Sequence, residues 1–442
     1  MIAIPSDALV LLEELNRNGY EAYVVGGCVR DSLLGLTPKD WDICTSALPD
    51  EIKDCFSGYH LLETGIRHGT VTVRLNQQSY EITTFRTDGE YLDFRHPKKV
   101  SFVKDIRSDL ARRDFTVNAM AYHPQKGLVD YFGGQADLKD KRLRCVGEAE
   151  VRFQEDALRI MRALRFSGVY GFSIEEESKK AIFSCRSLLK NIAVERLTEE
   201  LKKLLLSRYA DSILLEYAEV FGEWIPELKP MFHFNQQNPH HKYDVWTHAV
   251  ISMKHAPNDV ILRLTMLLHD IAKPQVFSLD EKGIGHFYSH ADSGAKIVEA
   301  VLKRLRFDNQ TVYTVTELVA YHDREILPNK KAVKRVLSKI GEEQFLRLLY
   351  VKLADGLATV HPEKSREEYT VLSEIFHQIQ EVGECFSLKN LCVNGNDLKA
   401  LGINEGKKIG IILQKLLENV IENQVENERD QLLEYIKNIS NI

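Results

Sequence analysis

The chain lacks most of the signals that assign a protein to a class at sight. Its seven cysteines (Cys28, Cys44, Cys55, Cys145, Cys185, Cys385 and Cys392) form no Cys-x-x-Cys pair. That pattern indicates neither a zinc knuckle nor a disulfide framework, so buried or inert thiols are expected. No apolar run reaches 18 residues, the length a spanning helix needs, so no membrane partner is expected. The opening MIAIPSDALVLLEELNRNGY has no basic segment leading into an apolar core; it reads as a capped amphipathic helix, and a cytoplasmic protein is expected. Neither G-x-G-x-x-G nor a Walker A pattern occurs, which argues against dinucleotide and P-loop folds. Internal repeats and low-complexity tracts are absent too. The net charge of −6 argues against indiscriminate coating of nucleic acid, although it leaves local basic patches open.

What remains is a 442-residue chain, 44% hydrophobic, long enough for large cores and two to four domains. Up to about residue 135, helix signals mix with strand-like stretches: EAYVVGG, DWDIC, GTVTVRL and YEITTFR. From about residue 150 the strand signal nearly vanishes. EDALRIMRALRFSGVYGF, VERLTEELKKLLLSR and VILRLTMLLHDIAK repeat apolar residues at i, i+3 and i+4, the spacing of helices. An α/β head followed by a long all-helical body is expected. Residues 95 to 113 carry Arg95, Lys98, Lys99, Lys104, Arg107, Arg112 and Arg113 against Asp105 and Asp109, a stretch able to meet phosphates.

Two features of the head bear chemistry. YVVGGCVRDSLLG is a strand, a diglycine and a helix start, where the backbone can approach a ligand and free N–H groups favour phosphate. DWDIC places Asp40 and Asp42 two residues apart in a strand-like stretch, so both side chains are expected on one face. Two carboxylates side by side repel unless a divalent cation satisfies both; oxygen-only ligation suits Mg²⁺, which also bridges phosphates. Exposed acids at a strand edge are the bland alternative.

The ordered set G-G-x-x-R-D-x-L-L-G, D-x-D, R-R-D-F-T-x-N-A-M-A and E-D-x-x-R, over residues 20 to about 205, resembles the class II tRNA nucleotidyltransferases, the CCA-adding enzymes of the polymerase-β-like superfamily. The resemblance implies an α+β architecture: a polymerase-β-like nucleotidyltransferase head (mixed sheet with helices, 1–140), then an elongated all-α neck with base-templating helices (141–206), an HD-type helical body (207–385) and a tRNA-binding helical tail (386–442). It implies that Asp40 and Asp42 hold the catalytic Mg²⁺, that Gly26, Gly27 and Arg30 cradle the triphosphate, and that Arg112, Arg113, Asp114 and Asn118 lie against the incoming nucleotide. Glu81 is a candidate third carboxylate. In QEDALRIMRALRF, Asp156 and Arg159, with Arg162 and Arg165, complete the nucleotide-binding set.

An Asp–Arg pair has the chemistry for base reading. A carboxylate accepts from an exocyclic amine while a guanidinium donates to a ring nitrogen or carbonyl. Cytosine and adenine both offer an amino donor beside an acceptor; uracil and guanine offer the reverse, and each unsatisfied group costs about 1 to 3 kcal/mol. Asp156 and Arg159 are expected at i and i+3 on one face of a helix, where an ordinary salt bridge is the alternative. RTDGEYLDFRHP, residues 86 to 97, resembles the family's loop linked with switching from C to A addition, and NIAVERLTEEL, with Glu195 and Arg196, its bracing neck helix.

In the body, His248, His269-Asp270 and Asp355 fall in the order H…HD…D, which resembles the HD phosphohydrolases. His290 and His322 match accessory ligands of that superfamily, although HADSG departs from relatives with a glutamate after the histidine. Imidazole plus carboxylate suits Mn²⁺, Ni²⁺, Co²⁺ or Fe. Lys407 and Lys408, near a helix start in the tail, fit a grip on a tRNA backbone. The implied activity is addition of CTP and ATP to the 3′ end of tRNA, with HD-type hydrolysis beside it. A CC-only or A-only enzyme, a poly(A) polymerase of the same class, and a chain that is chiefly an HD phosphohydrolase are the rivals. Nothing in the sequence indicates an oligomeric state.

Overall fold

The computed structural model describes residues 2–89 and 100–440, in two compact units, Met1–Pro226 and Glu227–Ile442. Most of RTDGEYLDFRHP, and Arg95, Lys98 and Lys99 of the basic stretch, lie outside the described residues.

In the first unit, α1 (Ser6–Arg17) buries Ala8, Leu11, Leu12 and Leu15 on one stripe, the periodicity of an amphipathic helix. The chain then enters β1 (Ala22–Val25), turns into α2 (Gly27–Leu33), and continues through β2 (Ile43–Thr45), α3 (Pro49–Cys55), β3 (His60–Leu62), β4 (Thr70–Leu75) and β5 (Gln78–Thr84). A hairpin of β6 (Arg86–Asp88) and β7 (Val100–Phe102) precedes α4 (Ile106–Ala111), β8 (Ala121–His123), β9 (Gly127–Val129) and α5 (Gly134–Lys139). Seven strands form one mixed sheet in the order β3-β4-β5-β2-β1-β8-β9. Its central strands β1 and β2 are buried along their length, whereas β4 alternates, with Val71 and Val73 inward. That contrast follows from a sheet covered on both faces at its centre and on one face at its edge. The parallel pairing of β2 with β5 sets Ile43 against Ile82, which brings the residues preceding each strand's apolar core to the same sheet end.

Asp40 and Asp42 are not on a strand. They lie in the segment before β2, and the carbonyl of Asp42 accepts from the Val25 amide at 3.0 Å. The apolar ladder begins one residue later, at Ile43, so the same-face argument from strand pleat does not apply.

Apart from the short parallel pair β10 (Arg142–Leu143) and β11 (Ser173–Ile174), the rest of the unit is helical: α6 (Ala149–Glu155), α7 (Leu158–Tyr170), α8 (Glu176–Cys185), α9 (Val194–Leu205), α10 (Ala210–Glu216) and α11 (Ala218–Trp224). The expected single helix through EDALR is broken. Asp156 is extended (φ −137°, ψ 101°) and its Oδ1 accepts from the Leu158 amide at 3.0 Å, so this carboxylate serves as a cap between two helices.

The second unit runs through α12 (Val245–His255), α13 (Val260–Leu268), α14 (Lys273–Val276), the hairpin β12 (Ser278–Leu279) and β13 (Gly285–His286), then α15 (His290–Arg304), α16 (Asn309–Tyr321), α17 (Lys330–Leu357), α18 (Pro362–Val382), α19 (Gly395–Ala400), α20 (Gly406–Ile421) and α21 (Arg429–Ser440). Side chains of Asp244, Asp259, Asp308 and Asn329 cap α12, α13, α16 and α17, each satisfying an amide that the helix start leaves open. Helix α17 is interrupted at Gly341, whose φ of 76° and ψ of 172° no helix accommodates. Before the break, Lys330 and Lys334 pair with Glu384, and Arg335 with Glu422. A separate core of Leu398, Leu416, Leu417, Leu432 and Ile436 holds the C-terminal helices together. Five cysteines are buried; Cys55 is half-buried and Cys392 exposed, and all seven are free.

Candidate active site and candidate metal centre

In the head, Gly26 ends β1 with φ +81° and ψ −123°, a conformation that favours glycine. A Cβ there would lie 3.0 Å from Arg113 Nη1. The turn delivers Arg30, which is buried, to Asn118: its Nη1 donates to Asn118 Oδ1 at 2.5 Å, and its Nε donates to Asp31 Oδ1 at 2.8 Å. Asn118 Nδ2 in turn donates to Asp114 Oδ1 at 3.0 Å, and Arg162 grips Asp114 Oδ2 through Nε at 2.9 Å and Nη2 at 2.7 Å. Burial pushes the Asp114 carboxyl up, but Arg162, Asn118 and Arg159 outweigh it and hold it at about 2. Arg30, Asn118, Asp114 and Arg162 thus form one charge-assisted chain from the diglycine turn to α7.

Arg112 and Arg113 meet on a fully buried carboxylate. Arg112 Nη2 lies 2.8 Å from Asp109 Oδ1 and Arg113 Nη2 lies 3.3 Å from Asp109 Oδ2. Burial opposes ionisation of Asp109, but the two guanidinium groups prevail and its carboxyl titrates below the usual range. Asp109 was absent from the expected set, although its i, i+3 and i, i+4 spacing to the arginines marks it.

Asp42 behaves in the opposite way. Burial, then Asp40, then Glu81 raise its carboxyl to about 6, with Arg113 opposing. Asp40 and Glu81 therefore both act on Asp42, beside the start of β2. They are not gathered tightly: among the described residues, the groups of three or more donor side chains with ligand atoms within 4.8 Å of one another lie in the helical unit. The mutual repulsion at Asp42 nevertheless fits a site that a divalent cation neutralises.

Asp156 and Arg159 each meet partners of their own. Arg159 is buried, with Nη1 at 2.7 Å from Glu155 Oε2 and 3.1 Å from the Arg152 carbonyl, and Nη2 at 3.1 Å from the Arg112 carbonyl. Asp156 Oδ2 instead faces Arg196 at 3.6 Å. Arg165 binds Glu200, and its guanidinium lies 4.1 Å from the Phe166 ring centroid. Tyr170, which no sequence signal marked, stacks its ring 4.7 Å from the Arg30 guanidinium and donates to Asp31 Oδ1 at 2.9 Å.

In the helical unit, His248, His269 and Asp270 form one candidate metal triad, and Asp270, His290 and His322 a second. All five residues are buried and Asp270 is common to both. Asp355 joins the first: its Oδ1 lies 2.8 Å from His248 Nε2 and 3.5 Å from His269 Nε2. Nδ1 of His269, His290 and His322 lies 2.7, 2.8 and 2.7 Å from the carbonyls of Met266, Phe287 and Val319. Donation there leaves each Nε2 lone pair aimed inward, the usual orientation of a metal-bound imidazole. His269 Nε2 and Asp270 Oδ1 are buried and make no hydrogen bond, which fits ligands rather than satisfied core residues; Asp270 Oδ2 faces the Lys273 ammonium. In the metal-free state burial opposes a charge on His269, yet Asp270 and Asp355 hold its proton up to about 10. Lys273 is buried, with Nζ at 2.7 Å from Asp270 Oδ2 and 3.0 Å from Gln236 Oε1. Gln236 and His241, also absent from the expected set, reach the centre from a loop that precedes α12.

The sequence model described as "Poly A polymerase head domain" matches residues 22–144, and that described as "tRNA nucleotidyltransferase domain 2" matches residues 280–436. The sheet, the turn and the carboxylates define a nucleotidyltransferase. The CCA-adding enzyme of Leuconostoc citreum is 36% identical over 440 residues, 97% of this chain and 95% of its own length. That of Ligilactobacillus salivarius is 33% identical over 443 residues, 98% of this chain and 96% of its own. The crystal structure of the Bacillus stearothermophilus CCA-adding enzyme in complex with CTP superimposes with a TM-score of 0.72 at 29% identity, over 98% of this chain and 97% of that one. The chain belongs to the CCA-adding enzymes, the class II tRNA nucleotidyltransferases.

Proposed function

We propose that this protein extends the 3′ end of tRNA to CCA, taking nucleotides from CTP and ATP without a nucleic-acid template. The chain's coverage of full-length CCA-adding relatives carries the reading, and the head's charge-assisted chain supports it. In each step the tRNA 3′-oxygen forms a bond to the α-phosphorus, the bond to the β-phosphate oxygen breaks, and pyrophosphate leaves. Asp40 and Asp42 would hold Mg²⁺, which would supply charge neutralisation and activation of the 3′-hydroxyl. Gly26, Gly27 and Arg30 receive the triphosphate, with Arg30 oriented by Asn118 and Asp31. Arg112, Arg113, Asp114 and Asn118 support the nucleotide. Asp156 and Arg159 read the base, with Arg162 and Arg165 fixing α7 beneath them. Glu155 sets the orientation of Arg159, so base reading depends on Glu155 sharing that guanidinium with the ligand. Segments 1–140, 141–206, 207–385 and 386–442 serve as head, neck, body and tail, and the protein acts in the cytoplasm; no described helix is long and apolar enough to cross a membrane.

The test is to offer tRNA transcripts lacking zero to three terminal nucleotides with each nucleoside triphosphate and read product lengths. Growth to CCA and arrest supports this reading. Long A tails, arrest at CC, or addition only to tRNA ending in CC each select a rival.

A second activity is favoured by the two triads that share Asp270. We read the helical unit as a metal-dependent phosphohydrolase, with His248, His269, Asp270 and Asp355 holding one divalent ion and His290 and His322 joining Asp270 for a second. The imidazole-rich donor set favours Mn²⁺, Ni²⁺, Co²⁺ or Fe over Mg²⁺ alone. Hydrolysis breaks the ester P–O bond, forms one from water, and returns a proton to the leaving oxygen. Phosphate release from simple esters in the presence of each metal tests it.

A further inference from the structure

Helix α7 carries more than the residues placed against the base. Near its C-terminal end it presents Phe166 and Tyr170, whose rings stack with centroids 6.2 Å apart and planes at 22°. Residues four apart share a helix face, and this face meets α2: the Arg30 guanidinium lies 5.2 Å from the Phe166 ring centroid and 4.7 Å from that of Tyr170. The Tyr170 hydroxyl donates to Asp31 Oδ1 at 2.9 Å, the oxygen that also accepts from Arg30 Nε at 2.8 Å. Arg30 Nη2 lies 2.8 Å from the same oxygen. Burial pushes the Tyr170 hydroxyl up to about 12, with Arg30 opposing and Asp31 adding to the rise. The phenol therefore keeps its proton, and remains a donor, through the neutral range. Phe172 meets the Tyr170 ring in turn, with centroids 5.6 Å apart.

A guanidinium carries five N–H donors in a rigid fork, and the plane of that fork decides whether it meets a phosphate through two bonds or one. In Arg30 the edge formed by Nε and Nη2 faces Asp31, and Nη1 donates to Asn118. No other acceptor among the described residues meets it, so an N–H on each terminal nitrogen is left for a ligand. Nη2 lies 3.5 Å from where a Cβ on Gly27 would stand, so the open end of the fork borders the diglycine turn. Two contacts set its plane, the Asp31 carboxylate at one edge and the aromatic pair across its face. Tyr170 contributes to both. We propose that Tyr170 is a positioning residue for nucleotide binding: it fixes the Asp31–Arg30 pair and so sets the angle at which Arg30 receives the triphosphate of CTP and ATP. The inference rests on the reading of Arg30 as a triphosphate ligand, and adds that the helix proposed to read the base also holds the group that grips the phosphates.

The test is a double-mutant cycle on the full chain, read by equilibrium dialysis of CTP and ATP and by steady-state kinetics for tRNA. Tyr170→Phe keeps the ring and removes only the hydroxyl. It should raise Kd for both nucleotides on the order of ten-fold, the loss of a hydrogen bond to a charged group, and leave KM for tRNA unchanged. Tyr170→Leu, which takes away the ring as well, should weaken both nucleotides further. Arg30→Lys keeps the charge and loses the fork; in that background Tyr170→Phe should have no further effect on either Kd. Parent Kd values in Tyr170→Phe, an equal loss for nucleotides and tRNA, or the full ten-fold effect persisting beside Arg30→Lys would each overturn the proposal. If Arg30→Lys itself leaves both Kd values at the parent level, the triphosphate reading of Arg30 fails and this inference with it. If Arg30→Lys weakens both and Tyr170→Phe weakens neither, that reading stands and Tyr170 has no part in it.

Discussion

Asp42→Asn should make the metal-free protein more stable while abolishing nucleotidyl transfer. Burial, Asp40 and Glu81 raise the Asp42 carboxyl from 3.8 to about 6. A shift of about two units corresponds to roughly 3 kcal/mol against folding once the group is ionised; partial contact with water reduces this to about 2 kcal/mol. The folded value lies above the unfolded one, so the penalty is absent at low pH, grows as pH rises from about 4, and is complete above about 6. Urea titrations in chelator, followed through the Trp41 fluorescence of the head, should show the parent losing about 1 kcal/mol between pH 5 and 7.5 relative to the variant. Mg²⁺ should stabilise the parent and close the gap at pH 7.5, because binding favours the folded state. If Asp42→Asn in chelator is no more stable than the parent at pH 7.5, the crowding of carboxylates argued here is wrong.

The Asp114 carboxyl, held at about 2, contributes roughly 2 kcal/mol that is fully present above about pH 4 and lost as pH falls through 2. Asp114→Asn should therefore cost about that much at both pH 7 and pH 5, and should raise KM for CTP and ATP by loosening Asn118 and Arg30; denaturant titration and steady-state kinetics read the two effects. His269→Ala should lower bound Mn²⁺, measured by metal analysis after dialysis, and leave CCA addition intact. Gly285→Ala should destabilise the helical unit by about 1 to 3 kcal/mol, seen as a lower denaturation midpoint, because its Cβ meets the Gln236 carbonyl.

The alternation of apolar residues in GTVTVRL and the helical spacing of VILRLTMLLHDIAK carried the head and body correctly, because one face of each element meets a core. Positions at element ends were harder. DWDIC looked like strand throughout, yet the ladder begins at Ile43, and periodicity does not mark where pairing starts. In EDALRIMRALRF the apolar spacing runs unbroken through Asp156, whose side chain caps the following helix; a carboxylate favours that role, but the pattern around it masked the break. The H…HD…D order was legible, since the ligands sit on predicted helices. Glu81 approaches Asp42 only through the parallel crossover of β2 and β5. Gln236 and His241 approach the cluster only through a loop packed on a hairpin, and neither juxtaposition leaves a local trace.

The glycine at 341 turns the longest helix of the body into two rods in series. One is stapled to the C-terminal segment through Glu384 and Glu422; the other presents Asp355 to the histidines. An unbroken rod would convert any roll of the first half into a sweep of that carboxylate through several ångströms. With the joint in place, no continuous helical ladder links the half held by Glu384 and Glu422 to the half that carries Asp355.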